Sequence, residues 1–555
     1  MRQSLSLSLF ARAFAAQVEA QLERAQSRSM TVSRHGIVAT SQTLASAAGA
    51  KVLERGGSAA DAAIAANAMI GVVEPMMGGV GGDLLVLYWE AKTKKLYGLN
   101  ASGWAPRGLT IDFVKSKGIT NLGTAGIHSS PVPGCVDGWS KLHKQFGRLP
   151  WGEIFQPAIY YAREGYPLTE RVHDYWWHRT SHLKTNPAGS AIFLRNDLAP
   201  AVGEVFRNPS LADTLSLIAR DGADAFYRGP IAKSILQTSD QFGGTMAAAD
   251  LAEYQAEWVT PISTTYRGWT VYEMPPNSQG VAALSMLNIM ESFPLASMGP
   301  ATAETLHTEI EAHKFAAQDL HRYVGDPRAV KVPVKGMLDK AYAAQRAALI
   351  DPQRATCDPK PGAPESGDTM YLTVVDRDGN IASLIQSLSR TFGSGIVVEG
   401  RGFHLHNRAS GYSLDPARPN ALKPRMRPFH TIIPAFMEKG DLHIGFGIIG
   451  GGNQPPAHAQ FVSNIVDFQM NIQAALDAPR FNSDASGCEV RIEQRIPAVV
   501  RQQLAARGHK LDLRADYSNL LGPGQAVMHN SATGVNSGAS DPRGDGAAVP
   551  ESPVF

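Results

Sequence analysis

A layered α/β fold is what the sequence predicts, on three observations. Short β-rich runs lie near the start of the chain and again in its last third, the region between them reads as mostly helical, and a hairpin pattern marks the return to strands. The hairpin is the clearest local signal: YLTVV at 371–375 and IASLIQSL at 381–388 flank DRDGN, and a turn of Asp, Gly and Asn between two apolar β-rich runs pairs them as antiparallel strands. Strands at both ends with helices between bury both kinds of apolar face by stacking in layers.

The chain opens with MRQSLSLSLFARAFAAQVEA. Its basic start and Ala-Phe-Ala-Ala run fit a signal segment, while a short apolar core broken by Arg12 fits an amphipathic helix. Both readings stay open, and with them a cytoplasmic, periplasmic or secreted location. Residues 36–41 read as a strand, and the alanine-rich 44–73 as two helices split at Gly56-Gly57, small side chains that let helices sit close on a sheet. The cluster Gly78-Gly79-Val80-Gly81-Gly82 allows tight backbone passage into an apolar strand at 84–89 and lacks the Lys-Ser/Thr pair of a phosphate loop. From 149 to about 350 helices are broken by Gly-Tyr-Pro, Asn-Pro and Gly-Asp-Pro, with one strand at 269–273 ending in Pro275-Pro276. DPKPGAPESGD at 358–368 has three prolines and no apolar periodicity, and reads as an exposed, mobile loop. After the hairpin come more strands, helices at 456–467 and 472–477, and a polar, glycine-rich tail.

Composition excludes more than it assigns. The chain has 555 residues, enough for several domains, with 44% hydrophobic and 18% charged residues, the make-up of an ordinary globular protein. A formal net charge of +2 offers no electrostatic case for nucleic acid or a membrane surface as partner, and no run approaches the ~18 apolar residues of a membrane-crossing helix. Cys135, Cys357 and Cys488 are too few and too scattered for a disulfide framework, and no CxxC suggests a zinc ribbon. Cys135 is better read as a buried thiol than as a nucleophile. His404-Leu-His406 would set two imidazoles on one strand face, but no third ligand stands at a telling spacing, so ordinary strand histidines outweigh a zinc pair. GFGIIG at 445–450 matches GxGxxG with Asp467 at ribose distance; Pro455-Pro456 and two helices then follow where a dinucleotide unit needs a second strand. No GxSxG is present.

Thr369 stands where the proline-rich loop becomes a buried strand. A threonine hydroxyl is a weak nucleophile and needs a base within reach; its own α-amino group serves once the chain is cut in front of it. With an unperturbed pKa of about 7.7–8.0, that amine is partly neutral, hence basic, near neutral pH. Cleavage between Asp368 and Thr369 would make nucleophile and base from one residue. On pattern alone, the favoured reading of Thr369 is an ordinary β-branched residue opening a strand.

The hairpin stretch GDTMYLTVVDRDGNIASLIQS resembles the start of the small subunit of the γ-glutamyltransferase family, N-terminal nucleophile hydrolases that cut themselves before a threonine. The likeness continues through TFGSGIV at 391–397, GIIGGGNQ at 447–454, LDAPRF at 476–481 and GASDPRGDG at 538–546. Upstream, GIVATSQTLASAAGAKVLERGGSAADAAIAANAMIGVVEPMMGGVGGD at 36–83, VPG at 132, QPAI at 156, YRGWTVYEMPP at 266 and GDPRAVKVP at 325 look like the large subunit, in the family's order. The resemblance implies a four-layer αββα sandwich, an extension at 1–35, a large subunit at 36–368 and a small one at 369–555. It implies no metal or cofactor, a small-molecule amide substrate, and processed subunits held as a heterodimer, whose further pairing is left open. It puts oxyanion donors on Gly450 and Gly451, where side-chain-free N–H groups precede a helix, and a nucleophile-holding hydroxyl on Ser387.

The substrate pocket departs from that pattern. Ser102 stands where the family's arginine meets the α-carboxylate, Ser389 replaces an asparagine, Arg408 and Gly411 replace the ammonium contacts, and His430 and Thr431 replace a serine pair. A cation at Arg408 would repel a substrate ammonium and favour a carboxylate. The segment 413–427 is shorter than the usual lid, so a more open pocket is expected. The resemblance therefore implies hydrolysis or transfer of γ-glutamyl amides such as glutathione, or hydrolysis of another carboxylate-bearing amide, as in the altered-pocket oxamate amidohydrolase and glutaryl or cephalosporin acylase relatives. A catalytically silent binding protein is the third reading.

Overall fold

The computed structural model describes residues 26–123, 126–358, 368–485 and 487–553. The opening segment and the proline-rich loop at 359–367 lie outside the described residues. What is described is a mixture of helices with two seven-stranded sheets and two small ones.

The first large sheet runs Ala547–Pro550, Ile37–Thr40, Asp368–Val375, Ile381–Ser389, Asp83–Glu90, Lys95–Ala101, Glu257–Val259, every neighbour antiparallel. The hairpin forms as expected and lies at its centre. Its turn is held by the buried Asp376 carboxylate, which accepts from Asn380 N at 3.0 Å and from Ala59 N at 3.0 Å. That second bond docks the turn on the start of helix Ala59–Val73, where free N–H groups favour an anion. The second large sheet runs Thr31–Ser33, Val535–Ser540, Gly524–Asn530, Leu442–Ile448, Ala435–Lys439, Trp269–Glu273, Ile262–Tyr266, again antiparallel throughout.

Alternation along each strand decides what each face meets. Ile37, Leu85, Leu87, Tyr371, Ile381 and Ile385 of the first sheet share one apolar cluster with Phe436 and Val527 of the second. The intervening Val38, Leu84, Val86, Leu372 and Leu384 pack instead with the alanine-rich helices Thr43–Glu54 and Ala59–Val73. Ala59–Val73 is buried along its whole length; only small side chains let a helix be enclosed on every side. Val271, Met437, Ile444 and Phe446 pack with helices Gly280–Met290, Ala303–Tyr323 and Gln454–Val466.

Two expectations are corrected. The polar, glycine-rich tail contains strands Gly524–Asn530, Val535–Ser540 and Ala547–Pro550, all built into the large sheets. Its glycines mark close packing rather than loop: a Cβ on Gly538 would lie 2.5 Å from Ile37 Cγ2. And although three cysteines suggest no framework, Cys357 and Cys488 form a disulfide across 131 residues of sequence, with Cα atoms 4.7 Å apart; fold contacts that no spacing reveals bring them together. Cys135 is the buried thiol expected; burial pushes it well above the usual thiol range.

Candidate active site

Thr369 opens the central strand of the first sheet. The pairing register shifts there, with Asp368 opposite Ser389 and Met370 opposite Gln386, so Thr369 falls in a bulge, a device that re-aims a side chain. It is fully buried, and its Oγ1 has no hydrogen-bond partner among the described residues. Buried hydroxyls normally find one; this one is not committed to another group of the described fold. Across the hairpin, Ser387 Oγ accepts from Ser389 N at 2.7 Å, which secures the backbone where Ser389 adopts φ +80°.

The glycine cluster brings the neighbouring strand alongside. A Cβ on Gly81 would sit 2.1 Å from His404 O, and His406 N donates to Gly81 O at 3.1 Å. This close passage delivers Asp83, opposite Ser387 in register, into a fully buried position. Asp83 is the residue that sequence reasoning missed. Arg408 Nε donates to its Oδ2 at 2.9 Å, His430 Nε2 lies 3.0 Å from the same oxygen and His406 Nδ1 3.6 Å. Burial alone would push the Asp83 carboxyl up, but Arg408 and then His430 outweigh it and hold it well below the ordinary range. Burial, with Arg408 beside it, lowers His430 to about 4, so at neutral pH the imidazole is uncharged. The signal available was a lone acid directly after a glycine cluster and at the head of an apolar strand.

Arg408 Nη1 donates to Thr431 Oγ1 at 2.9 Å, and Gln279 Nε2 donates to both Thr431 O and Gly451 O. Gly450 and Gly451 follow strand Leu442–Ile448 with φ +121° and +59°, and the N-terminus of helix Gln454–Val466 comes directly after. Asn277 joins the remaining position: its O accepts from His430 N at 2.8 Å and its Nδ2 donates to Ser102 Oγ at 3.2 Å. Ser102, Arg408, His430, Thr431 and Gly451 thus belong to one connected network, while Asp368, Thr369, Ser387 and Ser389 face one another across the hairpin.

The geometry revises several expectations. Ser102 Oγ is already committed, donating to Asn100 Oδ1 at 2.6 Å. Gly411 has no room for a side chain, since a Cβ would lie 2.2 Å from Phe429 O. Arg408 does not present a bare positive charge, because Asp83 compensates it. Thr369, Arg408 and His430 are at most 2% exposed, and 413–427 is pinned by Arg425 over Trp104 at 4.2 Å and by Arg427 N donating to Asp326 at 2.7 Å. His404 and His406 do not share a face. His404 packs between Phe193 and Phe392, and burial lowers it to about 3, whereas His406 Nε2 lies 3.0 Å from Pro131 O.

A buried threonine set in a bulge at the head of a central strand is what the N-terminal nucleophile amidohydrolase class requires, and this chain is an enzyme of that class. Comparison with known proteins agrees. The family model described as Gamma-glutamyltranspeptidase matches residues 45–551. A glutathione hydrolase-like YwrD proenzyme of Bacillus subtilis is 37% identical over 92% of this chain and 98% of its own. An oxamate amidohydrolase proenzyme of Klebsiella pneumoniae is 32% identical over 94% and 99%. A solved cephalosporin acylase from Bacillus halodurans superposes with a TM-score of 0.89 at 42% identity, covering 94% of this chain and 97% of that one. The chain belongs to the γ-glutamyltranspeptidase family, whose members are proenzymes processed into two subunits that form a heterodimer.

Proposed function

We propose that the protein is a self-cutting threonine amidohydrolase acting on small amides whose acyl part ends in a carboxylate, within an αββα sandwich. The observation that carries this reading is Thr369 Oγ1, buried and unpartnered directly after Asp368. In processing, that oxygen attacks the Asp368 carbonyl, the peptide nitrogen leaves as the new α-amine, and water splits the resulting ester. Residues 1–368 become the large subunit and 369–555 the small one. In turnover Thr369 Oγ1 attacks the substrate amide and its own α-amine carries the proton to the leaving amine. N–H groups of the Gly450-Gly451 turn receive the developing oxyanion, preorganised by the helix that follows. Water, or a second amine in transfer, then releases the acyl group.

Arg408 supports the carboxylate preference. It is almost fully buried, its Nε and Nη1 are engaged, and its Nη2 has no partner among the described residues, so it retains a donor for an acyl carboxylate, with Thr431 and His430 beside it and Ser389 across the hairpin. γ-Glutamyl and glutaryl groups both end this way and differ in the ammonium. Intact mass of purified protein tests the chemistry: two fragments meeting between Asp368 and Thr369, and one uncut chain in Thr369→Ala. Turnover of γ-glutamyl, glutaryl and oxamate amides tests the substrate class; a cut enzyme that hydrolyses only acyl groups without a carboxylate would overturn it.

A further inference from the structure

We propose that Asp83 determines acyl specificity, favouring acyl ends that carry a hydrogen-bond donor or ammonium beside the carboxylate over plain dicarboxylates. This rests on the amidohydrolase reading above. Arg408 is a cation and Gly411 has no room for a side chain, so neither can accept from an ammonium. Asp83 supplies a carboxylate to the same network from a different strand. Its Oδ2 is occupied by Arg408 and crowded by His430, but its Oδ1 is buried without a partner among the described residues. Arg408 Nη2 is likewise unpartnered. The pair thus leaves one free acceptor and one free donor in a region of no net charge, complementary to an acyl end with both. A second uncompensated anion there would be costly, since charges interact strongly where water is excluded.

The test is the ratio of kcat/KM for a glutaryl anilide to that for a γ-glutamyl anilide. In Asp83→Asn, a near-isosteric change, Arg408 is uncompensated and the acceptor is weakened, so the ratio rises tenfold or more. Adding Arg408→Gln removes the freed charge and brings the ratio back toward wild type. Equal loss on both substrates, with the ratio unchanged, would make Asp83 merely structural and overturn the proposal. Calorimetry with glutarate and L-glutamate on the same proteins reads the same preference without turnover, glutarate gaining on glutamate in Asp83→Asn. An uncut or inactive wild type therefore counts against the amidohydrolase reading, while the binding ratio still decides on Asp83.

A second inference rests on a different observation. The Cys357–Cys488 disulfide lies astride the cleavage point, one cysteine ahead of Thr369 and one after it. We infer that, once cut, the subunits remain covalently joined. The segment before the cut is also clamped: Ala355 N donates to Arg507 O at 2.7 Å, Thr356 N to Glu311 at 3.1 Å, and Lys314 Nζ to Thr356 O at 2.9 Å. Glu311 belongs to the buried set His307, Glu311 and His509 that could hold a metal. The Lys314 ammonium, 2.8 Å from Glu311 and fully buried, already supplies the cation there. Denaturing gels of cut protein will show one band without reductant and two with it. Two bands without reductant would overturn the link. Should the chain prove uncut, thiol counting after unreduced denaturation decides: one free thiol, Cys135, supports the disulfide and three refute it.

Discussion

At Gly450 the backbone has φ +121°, a region that a side chain rarely enters, and a Cβ would sit 3.2 Å from Asn453 Cβ. Alanine there twists the turn out of line with any oxyanion. Gly450→Ala is expected to lower kcat by about 10²–10³, the loss typical of removing one such donor, with KM little changed in steady-state kinetics. Unaltered kcat would move the oxyanion donors elsewhere. Ser387 is a different kind of residue, for its hydroxyl satisfies the N–H of Ser389. Ser387→Ala orphans that N–H and is expected to destabilise by about 1–3 kcal/mol, read by denaturant unfolding, while Ser387→Thr keeps an acceptor and recovers most of it.

Among the elements, helix Ala303–Tyr323 is unusual in burying Glu309, Glu311, His313 and Lys314 together. Burial, with Asp467 adding to it, pushes the Glu309 carboxyl up to about 8. A carboxyl raised in the folded state favours its protonated form, so its contribution is fully present below the ordinary range near pH 4.5 and is lost as pH climbs toward about 8. Glu309→Gln mimics the protonated form. Its melting temperature should therefore fall less than that of wild type between pH 5 and 8, with the variant ahead at the alkaline end. Parallel melting curves would mean that Glu309 is ionised and compensated in the fold.

Across the whole molecule, the proposed cut after Asp368 would divide both large sheets rather than separate two bodies. In the first sheet, strands Asp368–Val375 and Ile381–Ser389 lie between Ile37–Thr40 on one side and Asp83–Glu90 on the other. In the second, Trp269–Glu273 pairs with Ala435–Lys439. Neither fragment can complete a core alone. Separately expressed 369–555 is expected to remain unfolded by circular dichroism, whereas cut protein elutes as one species and unfolds in one transition. A folded isolated fragment would contradict this.

The sequence by itself determined the local elements: the hairpin around Asp376, the two alanine-rich helices and the helix at Ile472–Asp477 are set by turn chemistry, side-chain size and periodicity within a few residues. Position between a proline-rich loop and a strand made Thr369 a candidate, and the resemblance of the surrounding motifs to a known family singled it out. Only the tertiary structure decided the strand nature of the glycine-rich tail, the Cys357–Cys488 bond and the commitment of Ser102 to Asn100. It alone set the pairing of Arg408 with Asp83, 325 positions apart. Local pattern reports what a residue does to its own backbone. Charge compensation and close packing depend on which distant strand comes alongside, and that is settled only when the sheets assemble.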